Sequence, residues 1–184
     1  CVDGHKVLVK ITKDKGHNHY IGDVITIIGH KDDPGVDILS IGYKYGFNPD
    51  FGSDVEEELK DIPDEVNPLD LVGRKDLTNE MIFTIDGSHT KDVDDAVSLN
   101  RQGNNYVLGV HIADVSNYVK ENTPLGDAAF ERGTSSYLAD TVIPMIPHKL
   151  SNGICSLNEG VIRLAMSCVM EFDSTGRQLD YEIF

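Results

Sequence analysis

Apolar positions fall into short, partly alternating runs broken by turn-forming residues. Lys6 to Thr12 alternates in part and reads as a strand. A polar loop with Gly16 follows, then a second strand from Ile21 to Ile28 ended by Gly29. Two strands are too few for a stable sheet, so this β unit is expected to be partial. Lys31 to Gly35 is a turn by composition, with Asp33 or Asp37 placed to cap a short helix running to about Tyr45 and stopped by Gly46. Ser53-Asp54-Val55-Glu56 fits a capping box, and Val55, Leu59 and Ile62 then share one helical face up to Pro63. Met81 to Asp86 reads as a buried strand. Ala96 to Asn100 and Tyr106 to Ala113 are two more strands, joined through Gly103-Asn104. Thr123-Pro124 opens a helix with Leu125, Ala128, Ala129 and Phe130 on its apolar face and Gly133 closing it. Thr134 to Leu138 and Thr141 to Ile146 read as short extended segments. Val161 to Phe172 reads as a long strand that turns through Asp173 to Gly176 into a partner beginning at Leu179. The sum is an α+β chain, mainly antiparallel β with short helices.

Composition narrows the class. The chain has 184 residues with 40% hydrophobic content, enough for one or two small domains with a core. No apolar run reaches the roughly eighteen residues of a membrane span, and no leader-like segment opens the chain, so no membrane partner is expected; the expected cytoplasmic setting comes from the cysteines. The first residue is Cys1, as in a piece of a longer protein. Cys1, Cys155 and Cys168 form no metal spacing and read as reduced thiols. A net charge of −15 argues against non-specific nucleic-acid binding through a basic surface. The acids are uneven: residues 51–80 hold ten of them against three bases.

The densest chemistry lies in Met81 to Leu99. A strand ends in Asp86. The spacer Gly87-Ser88-His89-Thr90-Lys91 follows, and then Asp92, Asp94 and Asp95 arrive within four positions before an apolar run resumes. Four carboxylates brought together repel, and a cation relieves them. They are hard oxygen ligands suited to Mg²⁺ or Mn²⁺, whose open positions take water and phosphate oxygens in phosphoryl chemistry. A calcium loop does not fit, because after Asp92-x-Asp94 there is no glycine at the sixth position and no glutamate at the twelfth. On spacing alone a solvated acidic loop remains open. Asp32-Asp33 is better read as a turn than as a second metal site. His111 sits among apolar neighbours and reads as a satisfied core residue. Asp114 ends the same strand, with a supporting role at the cluster or a turn role both open. Lys6, Lys10, Lys13 and Lys15, with Tyr20, form the basic and aromatic patch of the first strands and read as a solvated face.

Thr84-Ile85-Asp86 followed by Asp92-x-Asp94-Asp95-Ala96 resembles the active-site signature of the ribonuclease II / ribonuclease R family, the RNB exoribonucleases. The resemblance continues through Leu108 to Ser116, Glu131 to Leu138, Val142 to Pro147 and Leu150 to Asn158. It covers nearly the whole chain in ordered blocks and is closest to the bacterial ribonuclease R branch. It implies that residues 1–30 are the tail of a cold-shock or OB-like domain, 31–80 a connector, and 81–184 the N-terminal part of an RNB catalytic domain. It implies 3′-to-5′ processive hydrolysis of single-stranded RNA, from its 3′ end, to nucleoside 5′-monophosphates. Asp86, Asp92 and Asp95 would hold Mg²⁺, with Mn²⁺ as the alternative, and Asp94 would be the catalytic carboxylate. Tyr137 would stack on the terminal base. The family's catalytic domain continues beyond the segments matched here, with a further essential arginine and acid. The spacer Gly87-Ser88-His89 departs from the family's commoner form.

His148-Lys149 and Ser151-Asn152 stand where a phosphate contact and a surface loop are both open readings. Other functional classes are an RNA-binding module without cleavage, a different Mg²⁺ enzyme with an Asp-x-Asp motif, and an acidic scaffold without metal. The second would require a nucleotide-binding α/β unit before the motif, and no such pattern is visible.

Overall fold

The computed structural model describes residues 1–139 and 141–184. They form two compact units, one of Cys1–Phe51 with Thr134–Met145, the other of Gly52–Gly133 with Ile146–Phe184.

In the first unit, β1 (His5–Asp14) and β2 (Tyr20–His30) make an antiparallel ribbon, with register shifts between Lys6 and Val7, Leu8 and Val9, and Ile11 and Lys13. Both strands outrun the alternating cores seen in the sequence, and Gly29 lies inside β2 instead of ending it. Asp33 does not cap α1 (Val36–Lys44). Its carboxylate accepts from the His30 N–H and so closes the preceding turn, while Gly35 in a left-handed conformation takes the cap position. The short strands β6 (Ser136–Tyr137) and β7 (Val142–Ile143) pair with each other, and Ile143 packs close to Gly42 of α1.

The second unit is built on a five-stranded antiparallel sheet in the order β3-β4-β5-β8-β9. These are Ile82–Phe83, Asp95–Gln102, Asn105–Ala113, Ala165–Phe172 and Gln178–Ile183. The β4–β5 hairpin turns on Gly103, whose φ of +62° suits a residue without a Cβ. Asp173 makes the β8–β9 turn. One of its oxygens accepts from the Thr175 amide, the Thr175 hydroxyl and the Arg177 amide, and these bonds hold its pKa below the usual carboxylate range.

Burial alternates along the strands. Ala96, Ser98, Gly109, His111, Ala113 and Ser167 point inward, while Leu99, Ile112 and Met166 on the opposite face remain exposed. Buried in the same unit are Val55 and Leu59 of α2 (Ser53–Asp61), Leu125 and Ala129 of α3 (Pro124–Arg132), Leu150, Ile154 and Leu164. The two helices pack together, and the Leu125 N–H donates to Glu58 Oε2 at 2.8 Å. Thr123 caps α3 by accepting from the Gly126 amide. Ser53 forms no capping box, since α2 starts after Gly52 and the Ser53 hydroxyl turns to Asp54. Lys149 closes the other end of α2, donating to the Leu59 and Ile62 carbonyls at 2.8 and 2.6 Å.

Three further sequence expectations are corrected. The Met81–Asp86 run contributes only a two-residue strand, and Met81 and Ile85 are 79% and 85% exposed, because β3 is an edge strand paired with β4 alone. Phe130 lies on the open side of α3 and not on its packed face. Val161 to Leu164 precede β8 instead of forming part of it.

Candidate active site

The four aspartates of the motif lie where the chain passes from β3 into β4. Asp95 is the first residue of β4 and pairs with Ile112. The carbonyl of Asp94 accepts from the Ala113 N–H at 2.9 Å, so the start of the motif's last half is tied to the end of β5. Gly87 to Thr90 form a turn closed by the Thr90 amide on the Gly87 carbonyl. That turn brings Asp86 back toward the other three.

The result is electrostatically costly. Partial burial, and then the charges of Asp92, Asp95 and Asp86, raise the Asp94 pKa. Among the described residues no three His, Cys, Asp or Glu side chains close into a metal cage. The donor set is nonetheless all carboxylate oxygen, and its mutual repulsion is the imbalance that a hard divalent cation corrects.

The floor beneath this acidic loop is well bonded. His111 is 3% exposed, with Nε2 3.0 Å from the Ser98 hydroxyl and Nδ1 2.8 Å from that of Ser167. Burial lowers its pKa, so it stays a neutral structural link across β4, β5 and β8. Asp114 is bound rather than free: Arg74 donates to it at 2.7 Å and Ser116 at 2.7 Å. Burial pushes its carboxyl up, but these bonds and the Arg74 charge outweigh that and leave the pKa lowered. Arg74 is thereby committed to the fold, as is Lys149 through its bonds to the end of α2. Cys155 is buried and its thiol is pushed up to about 12, chiefly by desolvation, which rules out a nucleophilic thiolate at neutral pH. Cys1 is exposed.

The structure thus brings Asp86, Asp92, Asp94 and Asp95 into mutual influence within one unit. Tyr137 belongs to the other unit, in β6, with 69% of its surface exposed. Sequence reasoning passed over Ser156, which is fully buried and bonded to the loop that carries Asp92 and Asp94. The one signal for it was a small polar residue between Cys155 and Leu157.

A β unit at the head of the chain is followed by an antiparallel sheet with an acid-rich strand entry, the arrangement of a two-part protein with its candidate site in the second part. A model of the cold shock domain matches residues 1–52, and one of the RNB domain matches residues 74–184. The chain belongs to the RNB domain family. Its relatives include Ribonuclease R 1 of Lactococcus lactis, 51% identical over 88% of this chain, and Ribonuclease R of Thermotoga maritima, 52% identical over 88%. The chain spans 20% and 23% of their respective lengths. Among solved structures, RNase R of Mycoplasma genitalium in complex with double-stranded RNA superposes with a TM-score of 0.86 at 29% identity, covering 98% of this chain and 32% of that one. Among the described residues no helix is long and apolar enough to cross a membrane.

Proposed function

We propose that this chain carries the acidic centre of a hydrolytic 3′-to-5′ exoribonuclease that shortens single-stranded RNA processively to nucleoside 5′-monophosphates. The observation that carries the reading is the acidic loop itself, where burial and then the charges of Asp92, Asp95 and Asp86 act on Asp94 and raise its carboxyl pKa. Membership in the RNB domain family supports it, as do solved RNase R relatives described as bound to double-stranded and to ribose-methylated single-stranded RNA.

In this reading Asp86, Asp92 and Asp95 hold Mg²⁺ or Mn²⁺. The bound ion supplies charge neutralisation at the scissile phosphate and a water of lowered pKa. Asp94 would accept a hydrogen bond from the attacking water and orient it. Tyr137 offers an exposed aromatic face for the terminal base, a contact that tolerates any sequence because every base has a π-face. An ion at the four aspartates would serve the substrate side too, since unneutralised carboxylates repel the RNA backbone. A cytoplasmic location fits this activity.

The test follows a 5′-labelled single-stranded RNA incubated with the chain, and with a chimera in which the chain replaces the matching segment of the Thermotoga maritima relative. Shortening from the 3′ end that needs Mg²⁺ or Mn²⁺ and disappears in Asp94→Asn, with RNA binding retained, supports the reading. Binding without shortening in the chimera would reassign the chain to RNA capture. Intact, unbound RNA would remove both.

A further inference from the structure

The segment Lys91 to Asp94 belongs to no helix or strand, yet it must hold two of the four carboxylates in place. The Asp94 carbonyl is held by the Ala113 N–H, and the rest of the segment's fixation comes from more than sixty positions away. The Val93 N–H donates to Ser156 Oγ at 3.0 Å. The Ser156 hydroxyl donates in turn to the Lys91 carbonyl at 2.8 Å, with Asn158 Oδ1 a longer acceptor at 3.4 Å. The Leu157 N–H then donates to the Val93 carbonyl at 2.8 Å. Both backbone polar groups of Val93 are therefore satisfied by residues 156 and 157.

Ser156 is itself immobilised. It is 0% exposed, and its carbonyl accepts from Arg163 Nε at 3.0 Å. Just before it the chain makes a wide helical turn, Leu150–Ile154, closed by the Cys155 N–H on the Leu150 carbonyl at 3.0 Å. Leu150 and Ile154 anchor that turn in the core at 0% and 1% exposure. A hydroxyl is the smallest side-chain group that both accepts and donates, and both capacities are used on backbone groups flanking Asp92. Val93, 9% exposed, is buried between Asp92 and Asp94, so anchoring Val93 fixes the backbone that carries both.

We propose that Ser156 is a positioning residue. Its hydroxyl clamps the backbone from Lys91 to Val93, so that Asp92 and Asp94 are presented together against the repulsion that would spread them. This rests on the metal-binding reading above, because a clamp that opposes like-charge repulsion has a use only where a cation is to be received.

The test compares the unaltered chain with Ser156→Ala, which deletes the hydroxyl, and Ser156→Thr, which keeps it. Ser156→Cys preserves size should the alanine variant fold poorly. Two readouts avoid turnover: amide hydrogen exchange at Val93, and Mn²⁺ binding followed by electron paramagnetic resonance. Ser156→Ala is expected to speed exchange at Val93 by about tenfold or more, the factor matching loss of one net hydrogen bond. The β8–β9 amides should stay as protected as before. Mn²⁺ affinity should fall several-fold, and Ser156→Thr should restore both properties. Equal Mn²⁺ affinity in the unaltered and alanine chains, or unchanged Val93 exchange, overturns this inference alone. Failure of the unaltered chain to bind Mn²⁺ overturns the metal reading and this inference with it.

Discussion

Gly109 sits opposite Ser98 in the β4–β5 pairing, and the absence of its side chain makes room for the His111 ring. A Cβ built there lies 2.3 Å from Ser98 Oγ and 2.7 Å from His111 Nε2. Ordinary contact needs roughly 3.4 Å or more, so both groups must retreat by about 1 Å. The Ser98–His111 bond of 3.0 Å would then open past hydrogen-bonding range. Gly109→Ala therefore combines overpacking, about 1–3 kcal/mol, with a buried polar group left unpaired, about 1–3 kcal/mol. The expected loss of about 2–6 kcal/mol is a large share of the stability of a small domain. Urea denaturation at neutral pH measures it. Gly87→Ala is the control, because a Cβ there meets only the Thr90 hydroxyl at 3.5 Å. A double variant, Ser98→Ala with Gly109→Ala, should cost less than the sum of its parts because the nearest obstructing atom is gone. A Gly109→Ala loss under about 1 kcal/mol, or equal to that of Gly87→Ala, would refute the packing argument.

Other consequences concern protons and charge. The His111 pKa is lowered by burial, so the unfolded chain binds a proton that the folded chain refuses. That part of the stability is whole above about pH 6.5 and is lost as pH falls toward the folded pKa, and the urea midpoint should show a slope there that His111→Gln reduces. Asp94 behaves oppositely: its raised pKa means that its contribution is present in acid and lost as pH rises through the folded value. In EDTA at neutral pH, Asp94→Asn should accordingly raise the urea midpoint, and the added stability should shrink when Mg²⁺ stabilises the unaltered chain. Lys149→Met removes the cation bound to the Leu59 and Ile62 carbonyls and should lower stability by about 1–2 kcal/mol in a thermal melt.

Local signals were readable in the residue order. The Gly103 hairpin, the Thr123-Pro124 helix start, the Asp173 turn and the Val55-Leu59-Ile62 face all depend on neighbours a few positions away, and the structure contains each. His111 was legible as a core residue because its flanks are apolar. The aspartate motif was legible because its members are close in sequence. What escaped was set by distant partners. Met81 and Ile85 have the composition of a buried strand, but burial depends on what lies against them, and β3 has a single neighbour. Ser156 and Lys149 look like loop residues until chain closure places one under the acidic loop and the other at the end of α2. Asp33, one of the two candidate caps with Asp37, gives its carboxylate instead to a turn bond with the His30 N–H.

Strands β3 and β9 are the two edges of the main sheet among the described residues, and β9 carries Leu179, Tyr181 and Ile183 at 50%, 61% and 61% exposure. An unpaired edge of this kind is a template for self-association. Lys75 lies against it, 2.6 Å from Glu182 and 3.9 Å from the centre of the Phe184 ring. A lysine at an edge strand is a steric and electrostatic guard, and the surplus negative charge of the chain adds long-range repulsion between copies. Both defences weaken as salt shortens the reach of charge to a few ångströms. Colloidal stability should therefore decline with ionic strength, and light scattering in rising sodium chloride should detect assembly earlier for Lys75→Ala than for the unaltered chain.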